Sequence, residues 1–482
     1  MKSLFTTSLT DPSRILLICL IPLIFLSSAK SQTLADSLQS ILDANSSAIF
    51  ELSGLSFGGA STALISPRAN VTTAVSGTAI PGVDMTPGNL LGASDFTQTL
   101  MAILTFALAE EGALNLSDQI SDYISVDSLT NVPGNLTIEQ LLGHTSGLAN
   151  FSDASDYKST LLFDVTRVFT PREVTELFVG AASSPGNFSY SNTGFLVLGL
   201  VLESANGEET LQESLDRLVL NPAGVDNMPV YGNSDPDNLA PMFDDVFGTG
   251  FPNQLTPHTS VFTGAGLAGN ISGTPSDLVR VMKALAEGEL ISEGSLQQML
   301  AFTNVDGRFA DRYGLGIEAF TLDVGGEEKT YIGHSGSINY KTLVLYSLVD
   351  SIGAALSTNN ALGSQEALLE TAAQFFGAFD ALVEDDTVTS LIPVVPGEVL
   401  FTLFPNPVKD QLSINFELAE TAWVGIRILD PTGREIQSLS FQQLPSGEYQ
   451  ELIRLGAGLP SGLYFLQLNV NGESRAQAFI KK

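Results

Sequence analysis

The chain has 482 residues, 44% of them hydrophobic, and a formal net charge of −32. That length exceeds one ordinary domain, and the apolar content is ample for a sizeable core. A surface this acidic repels polyanions, so nucleic acid and anionic membrane are excluded as partners; a solvated acidic shell is the simplest reading of the charge.

In chain order, the first element is a secretory signal over residues 1–31. Lys2 and Arg14 form a basic start, and Ile15 to Leu26 is a short apolar run. Ser27-Ser28-Ala29-Lys30-Ser31 then offers a small-residue cleavage site before Gln32. The apolar run is short for a membrane span and no second candidate follows, so no stable span is expected once the signal is removed. The one cysteine, Cys19, lies inside that signal. A mature chain from Gln32 therefore has no disulfide, cysteine nucleophile or thiolate metal site. Three histidines argue against a histidine-rich metal centre. No metal and no organic cofactor is expected.

Residues 32–379 mix helices and strands. Leu100, Ile103, Leu104, Ala107 and Leu108 recur at helical spacing and stop at Gly112. Leu196 to Glu203, Leu278 to Ala286 and Ala367 to Phe376 also read as helices, whereas Thr342 to Leu348 and Ile352 to Ser357 read as adjacent buried strands. Strands at both ends with helices between suit an α/β sandwich. Residues 380–400, acidic and then proline-containing, read as a linker. Residues 401–482 carry seven basic and eight acidic side chains, so nearly all the net negative charge lies before them. Short strands over Leu412 to Phe416, Trp423 to Leu429, Glu435 to Ser440, Gln450 to Leu455, Leu463 to Val470 and Ala476 to Ile480 predict a small all-β sandwich, with Trp423 in its core.

Four segments carry the candidate chemistry: Ser94-Asp95-Phe96-Thr97; Thr137 to Leu148, with His144-Thr145-Ser146-Gly147; Pro185 to Gly194, with Tyr190-Ser191-Asn192; and Gly333-His334-Ser335-Gly336. Together with Thr86 to Leu91, Ala109 to Leu114, Asn221 to Gly224 and Ala265 to Leu267, they resemble the serine β-lactamase-related family over about Ala35 to Phe376. That family comprises class C β-lactamases, penicillin-binding carboxypeptidases and related esterases. The resemblance implies an antiparallel sheet flanked by helices plus a helical subdomain. It also implies acyl transfer by an activated serine with preorganised oxyanion donors.

Carried over by position, Ser94 matches the nucleophile, Tyr190 the base and Asn192 a substrate-binding amide. His334, Ser335 and Gly336 match the strand that lines the site. Thr97 falls where the family has a lysine. An unperturbed tyrosine has a pKa near 10, so bringing Tyr190 close to neutrality requires roughly 4 kcal/mol of electrostatic help. Thr97 supplies none. The region's other lysines are Lys158, Lys283, Lys329 and Lys341, and Lys341 follows His334 by seven residues. Two readings stay open for Ser94-Asp95: a nucleophile, or a helix N-cap with an acidic first turn. Two stay open for His334, a turn residue or a pocket wall. His144-Thr145-Ser146-Gly147 reads as structural.

At the other end, Phe404 to Leu412, Leu429 to Arg434 and Leu459 to Phe465 resemble the C-terminal sorting domain of type IX secretion. That resemblance implies handling by the type IX machinery, passage through the periplasm, and a product secreted or held at the cell surface. The expected function is that of an exported serine hydrolase acting on small amides, esters or cell-wall peptides. Thr97 puts its turnover in question. The rival is a binding or surface protein that keeps the cleft without catalysis.

Overall fold

The computed structural model describes residues 34–384 and 401–481, apart from 53–54, 57, 68, 233, 246–252, 306–308, 339, 405–407, 410, 419–420, 431–433, 457–458, 461 and 472. The expected signal segment with Cys19, and residues 385–400 of the expected linker, lie outside them.

The main domain is built on a nine-stranded antiparallel sheet. Its strands are β1 (Gly59–Ser66), β2 (Ala69–Ile80), β3 (Val83–Asp84), β4 (Thr303–Asn304), β5 (Arg312–Tyr313), β6 (Glu318–Val324), β7 (Glu327–Gly336), β8 (Lys341–Ser347) and β9 (Ile352–Thr358), in the order β4-β5-β6-β7-β8-β9-β1-β2-β3. The two ends of the domain's sequence thus meet at β9 and β1, where Ala355 faces Ala63 and Thr358 faces Ala60.

Both faces of the sheet are covered, which explains the near-continuous apolar runs in β8 and β9. Side chains alternate across a strand. Leu343 and Leu345 pack on one face with Leu64, Leu356 and the helix α5 (Gln365–Glu384), through its Leu368, Ala372, Phe375 and Phe376. Val344 and Tyr346 pack on the other face with the helices α1 (Phe96–Glu110), α3 (Asn192–Ala205) and α4 (Pro275–Ala286). A short helix α2 (Tyr157–Phe163) joins the core on that helical side through Tyr157 and Leu161. α1 is buried from Phe96 through Leu108 with no solvent face. The expected α/β sandwich is the one observed.

The helix at the domain's end runs five residues past the expected boundary at Asp380. Phe379 and Leu382 continue its apolar stripe onto the sheet, and Lys329 Nζ donates to Asp380 Oδ2 at 2.8 Å. The first five residues of the expected linker, 380–384, are therefore the last turn of a docked helix.

The C-terminal domain contains two antiparallel sheets. One joins β10 (Phe401–Phe404), β11 (Gln411–Leu418) and β14 (Gly447–Arg454); the other orders β13 (Glu435–Leu444), β12 (Ala422–Leu429), β15 (Gly462–Val470) and β16 (Glu473–Lys481). Val424, Ile426 and Ile428 face its core with Leu412, Ile414, Leu466 and Leu468. Trp423 does not, contrary to expectation. It is 49% exposed, because the two-residue period that buries Ala422 and Val424 turns Trp423 outward.

Candidate functional site

The chain enters α1 through a sharp elbow. Leu91-Gly92 pairs with Ser272-Gly273, and Ala93 N–H donates to Ile271 O at 2.8 Å. Ser94 then takes φ +52°, a left-handed conformation that costs a non-glycine residue about 1 kcal/mol. Asp95 is the N-cap by position, yet its side chain makes no capping bond. Ser94 makes none either, so the cap reading of this pair does not hold.

Ser94 faces away from the cleft. Its side chain is fully buried, and Ser94 Oγ accepts the Ile338 N–H at 2.9 Å. The end of β7 lies against it. A Cβ added to Gly336 would stand 2.7 Å from Ser94 Oγ and 2.6 Å from Asp95 N. Only glycine fits there. The side chain that the elbow presents to the cleft is Asp95.

The Asp95 carboxylate is fully engaged. Oδ1 accepts from Tyr190 Oη at 2.9 Å and from Gln98 Nε2 at 3.3 Å. Oδ2 accepts the Ser337 N–H at 2.8 Å and the Ser94 hydroxyl at 3.3 Å. One helical turn on, Gln98 Nε2 donates to Tyr190 Oη and to Asn192 Oδ1, both at 2.8 Å. Asn192 Nδ2 in turn donates to Ser152 Oγ at 3.1 Å. Tyr190 and Asn192 are thus brought together, as expected, but around Asp95 and Gln98. This corrects the expected register by one residue. Thr97 is fully buried, and its hydroxyl has no hydrogen-bond partner among the described residues.

Behind this floor lies a second polar layer. Tyr313 Oη donates to Gln98 Oε1 at 3.3 Å and lies 3.0 Å from His144 Nε2 and 3.3 Å from His334 Nε2. His144 Nδ1 accepts the Ser191 N–H at 3.2 Å, so its proton sits on Nε2 and is donated to Tyr313. His334 Nδ1–H donates to Ser335 O at 2.9 Å. His334 is fully buried and supports the wall from behind, whereas Ser335 and Gly336 line it. Ser335 donates both its N–H and its hydroxyl to the buried Glu318 Oε2, at 2.7 and 2.8 Å. Of these supports, Tyr313 and Glu318 stand in no motif-like pattern, and only the fold reveals them.

The cleft has a volume of about 570 Å³. α2 contributes Tyr157 and Lys158 to its wall, and β8 and α5 contribute Lys341, Gln365 and Glu366. Lys158 pairs with the buried Asp244 at 2.7 Å. Lys341 does reach the cleft, but it bonds neither Tyr190 nor Asp95. Burial draws its pKa down, partly countered by the Glu366 charge. Burial, aided by the Asp95 charge, pushes the Tyr157 phenol well above its ordinary value. No group of three or more His, Cys, Asp or Glu side chains suited to a metal occurs among the described residues.

Beside the cleft, a third histidine ties a loop in place. His258 Nε2 accepts the Met242 N–H at 3.0 Å, and Nδ1–H donates to Asp235 Oδ2 at 2.9 Å. Asp235 Oδ1 also accepts from His258 N and Tyr231 Oη. Burial raises the Asp235 pKa, but these bonds and the histidine outweigh it and hold the pKa at about 2.

The profile of the beta-lactamase family matches residues 54–378, a span that contains the whole cleft. The chain belongs to the beta-lactamase family. A second profile, the secretion system C-terminal sorting domain, matches residues 402–482. Among curated relatives, penicillin-binding protein 4* of Bacillus subtilis is 23% identical over 53% of this chain and 58% of its own length. Protein flp of Staphylococcus aureus is 31% identical over 25% of this chain and 24% of its own length. The chain therefore spans less than two thirds of either relative. Among solved structures, a D-stereospecific amidohydrolase from Streptomyces superposes with a TM-score of 0.60 at 20% identity, covering 70% of this chain and 98% of that one. The D-amino acid amidase of Ochrobactrum anthropi, complexed with L-phenylalanine amide, also gives 0.60 at 20% identity, covering 72% and 99%. These likenesses establish the shared fold.

Proposed function

We propose that this chain is an exported, ligand-binding member of the family that performs no acyl transfer. One observation carries the reading: the side chain that α1 presents to the cleft is the Asp95 carboxylate, and it takes the Ser337 N–H. Acyl transfer needs a nucleophilic hydroxyl, a group to take its proton, and free N–H donors for the oxyanion. Here a carboxylate stands at the reacting position and holds the donor that an oxyanion would need. Gln98 supports the same conclusion. Its amide spans Tyr190 and Asn192, reproducing the contacts that an ammonium would make there, but it carries no charge and exchanges no proton. Ser94 and Thr97, both buried, do not replace either group.

The fold and its neighbours favour small amides, esters or cell-wall peptides as ligands. The sorting domain favours handling by type IX secretion, after entry to the periplasm by the N-terminal signal, with delivery outside the cell or onto its surface. The test is covalent labelling of the purified chain with a fluorophosphonate and with a fluorescent penicillin. The wild type is expected to stay unlabelled, and the double variant Asp95→Ser/Gln98→Lys to gain label. Stoichiometric labelling of the wild type would overturn the reading. A hydrolytic alternative has one observation in its favour, the Ser335 hydroxyl held by the buried Glu318 carboxylate. Wild-type labelling abolished by Ser335→Ala would establish that route.

A further inference from the structure

Five charged side chains line the cleft: Asp95, Lys158, Asp244, Lys341 and Glu366. Four are already engaged. Asp95 accepts bonds on both oxygens, Lys158 and Asp244 pair with each other, and Glu366 Oε2 accepts the Ser364 hydroxyl at 2.9 Å. Lys341 is the exception, because its ammonium makes no hydrogen bond or ion pair among the described residues. It is only half-exposed, at the start of β8, and burial lowers its proton affinity. In a chain of net charge −32, carboxylates are abundant; those of Glu366 and Asp244 act on this lysine at a distance, yet none among the described residues forms an ion pair with it. Beside it, Gln365 Nε2 donates to Thr342 O at 3.0 Å, which fixes the amide against the residue next to Lys341. The Gln365 Oε1 atom is left with no donor.

We propose that Lys341 and Gln365 form the head-group subsite of the cleft, and that its ligand is a small organic acid whose carboxylate sits on the Lys341 ammonium. The ligand also carries an N–H or O–H group that donates to Gln365 Oε1 after a small rotation of that amide. The floor sets its direction. Asp95 repels a second carboxylate and has no free acceptor site, so the acid end lies at β8 and α5 and the uncharged body extends toward Tyr190 and Asn192. An unpaired, partly desolvated ammonium gains more from such an anion than an exposed one does. This assignment rests on the binding role proposed above for the same cleft, but not on the absence of turnover.

The experiment titrates the full chain, at neutral pH and low salt, with a panel of N-acylated amino acids and short hydroxy acids, each beside its methyl ester. Acids are expected to bind and esters not to. Lys341→Met should weaken the best acid about tenfold or more, Lys341→Arg should restore most of the affinity, and Gln365→Leu should weaken it less than Lys341→Met. Lys341→Met should also raise the melting temperature of the ligand-free protein, since it removes an unpaired, partly buried charge. Equal binding of acid and ester, undiminished affinity in Lys341→Met, or no binding across the panel would each overturn the subsite. Intact mass measured on the same samples after incubation with an activated ester separates the two ideas. A covalent adduct with Lys341-dependent acid binding would overturn the non-catalytic reading alone, while no adduct and Lys341-independent binding would overturn the subsite alone.

Discussion

The floor and the far wall of the cleft contrast sharply in how their polar groups are spent. At the floor, Asp95, Gln98, Tyr190 and Asn192 bond one another, with Tyr313 and two histidines behind them. At the wall, Lys341 has no hydrogen-bond or ion-pair partner among the described residues, and the Gln365 side-chain oxygen is unsatisfied there too. A site that performs chemistry keeps strained or unpaired groups where bonds are made and broken. Here those groups have been neutralised by internal bonds, and the unpaired potential sits where a ligand would be held. On the function proposed above, the difference separates two roles that such a cleft can combine, recognition at the wall and reaction at the floor.

The contrast breaks most severely at Gly336. A methyl group there would meet Asp95 N and Ser94 inside van der Waals contact, so Gly336→Ala should cost more than about 2 kcal/mol, read by chemical denaturation. Little loss would show that the floor is looser than its bonds imply. Asp95→Asn keeps the shape but turns an amide donor toward groups that already donate. It should cost about 1–2 kcal/mol, and a neutral or stabilising result would mean that the carboxylate is tolerated there instead of held. Next comes a control outside both regions. The folded-state pKa of Asp235, about 2, lies below its ordinary value near 3.9. Its stabilisation is therefore complete above pH 4 and is lost as the pH falls through 2. Asp235→Asn should lower stability at pH 6 by about 1–2 kcal/mol, allowing for its partial exposure, and should flatten the acid limb of the pH–stability curve. An unchanged limb would place the acid sensitivity elsewhere. The smallest effect belongs to the C-terminal domain, where Trp423→Thr on an exposed strand position should alter stability by less than about 0.5 kcal/mol.

Most of the architecture was legible in the sequence because its signals are local. Apolar spacing marked α1, α3, α4 and α5, adjacent buried runs marked β8 and β9, and turn-bounded short runs marked all the C-terminal strands except β10. The site was legible as a neighbourhood. Tyr190, Asn192, Ser335 and Gly336 do line it, while Ser94, Thr97 and His334 stand behind it. The reason lies in α1. A helix buried on one side carries its phase in its apolar stripe, but α1 is buried all round, so its composition does not say which residue of the first turn faces the cleft. Ser94 with Thr97 and Asp95 with Gln98 have the same spacing, and only the elbow at Ser94, with Gly336 pressed against it, decides between them. The packing of Phe379 and Leu382 was hidden for a related reason, since the acidic composition from Asp380 onward reads as linker until the buried face is known.

The pairing of β1 with β9 also has a consequence in time. Gly59 and Asn359, bonded through the Asn359 side chain at that junction, are 300 positions apart. During synthesis the first long strand of the domain must wait for the last before the sheet can close, and so distant a contact forms late. A nascent chain lacking its final segment holds an open edge at β1, and the face that α5 covers is left unsealed. The sheet of this chain, which also carries a secretion sorting domain, can close only once nearly the whole main domain has been made.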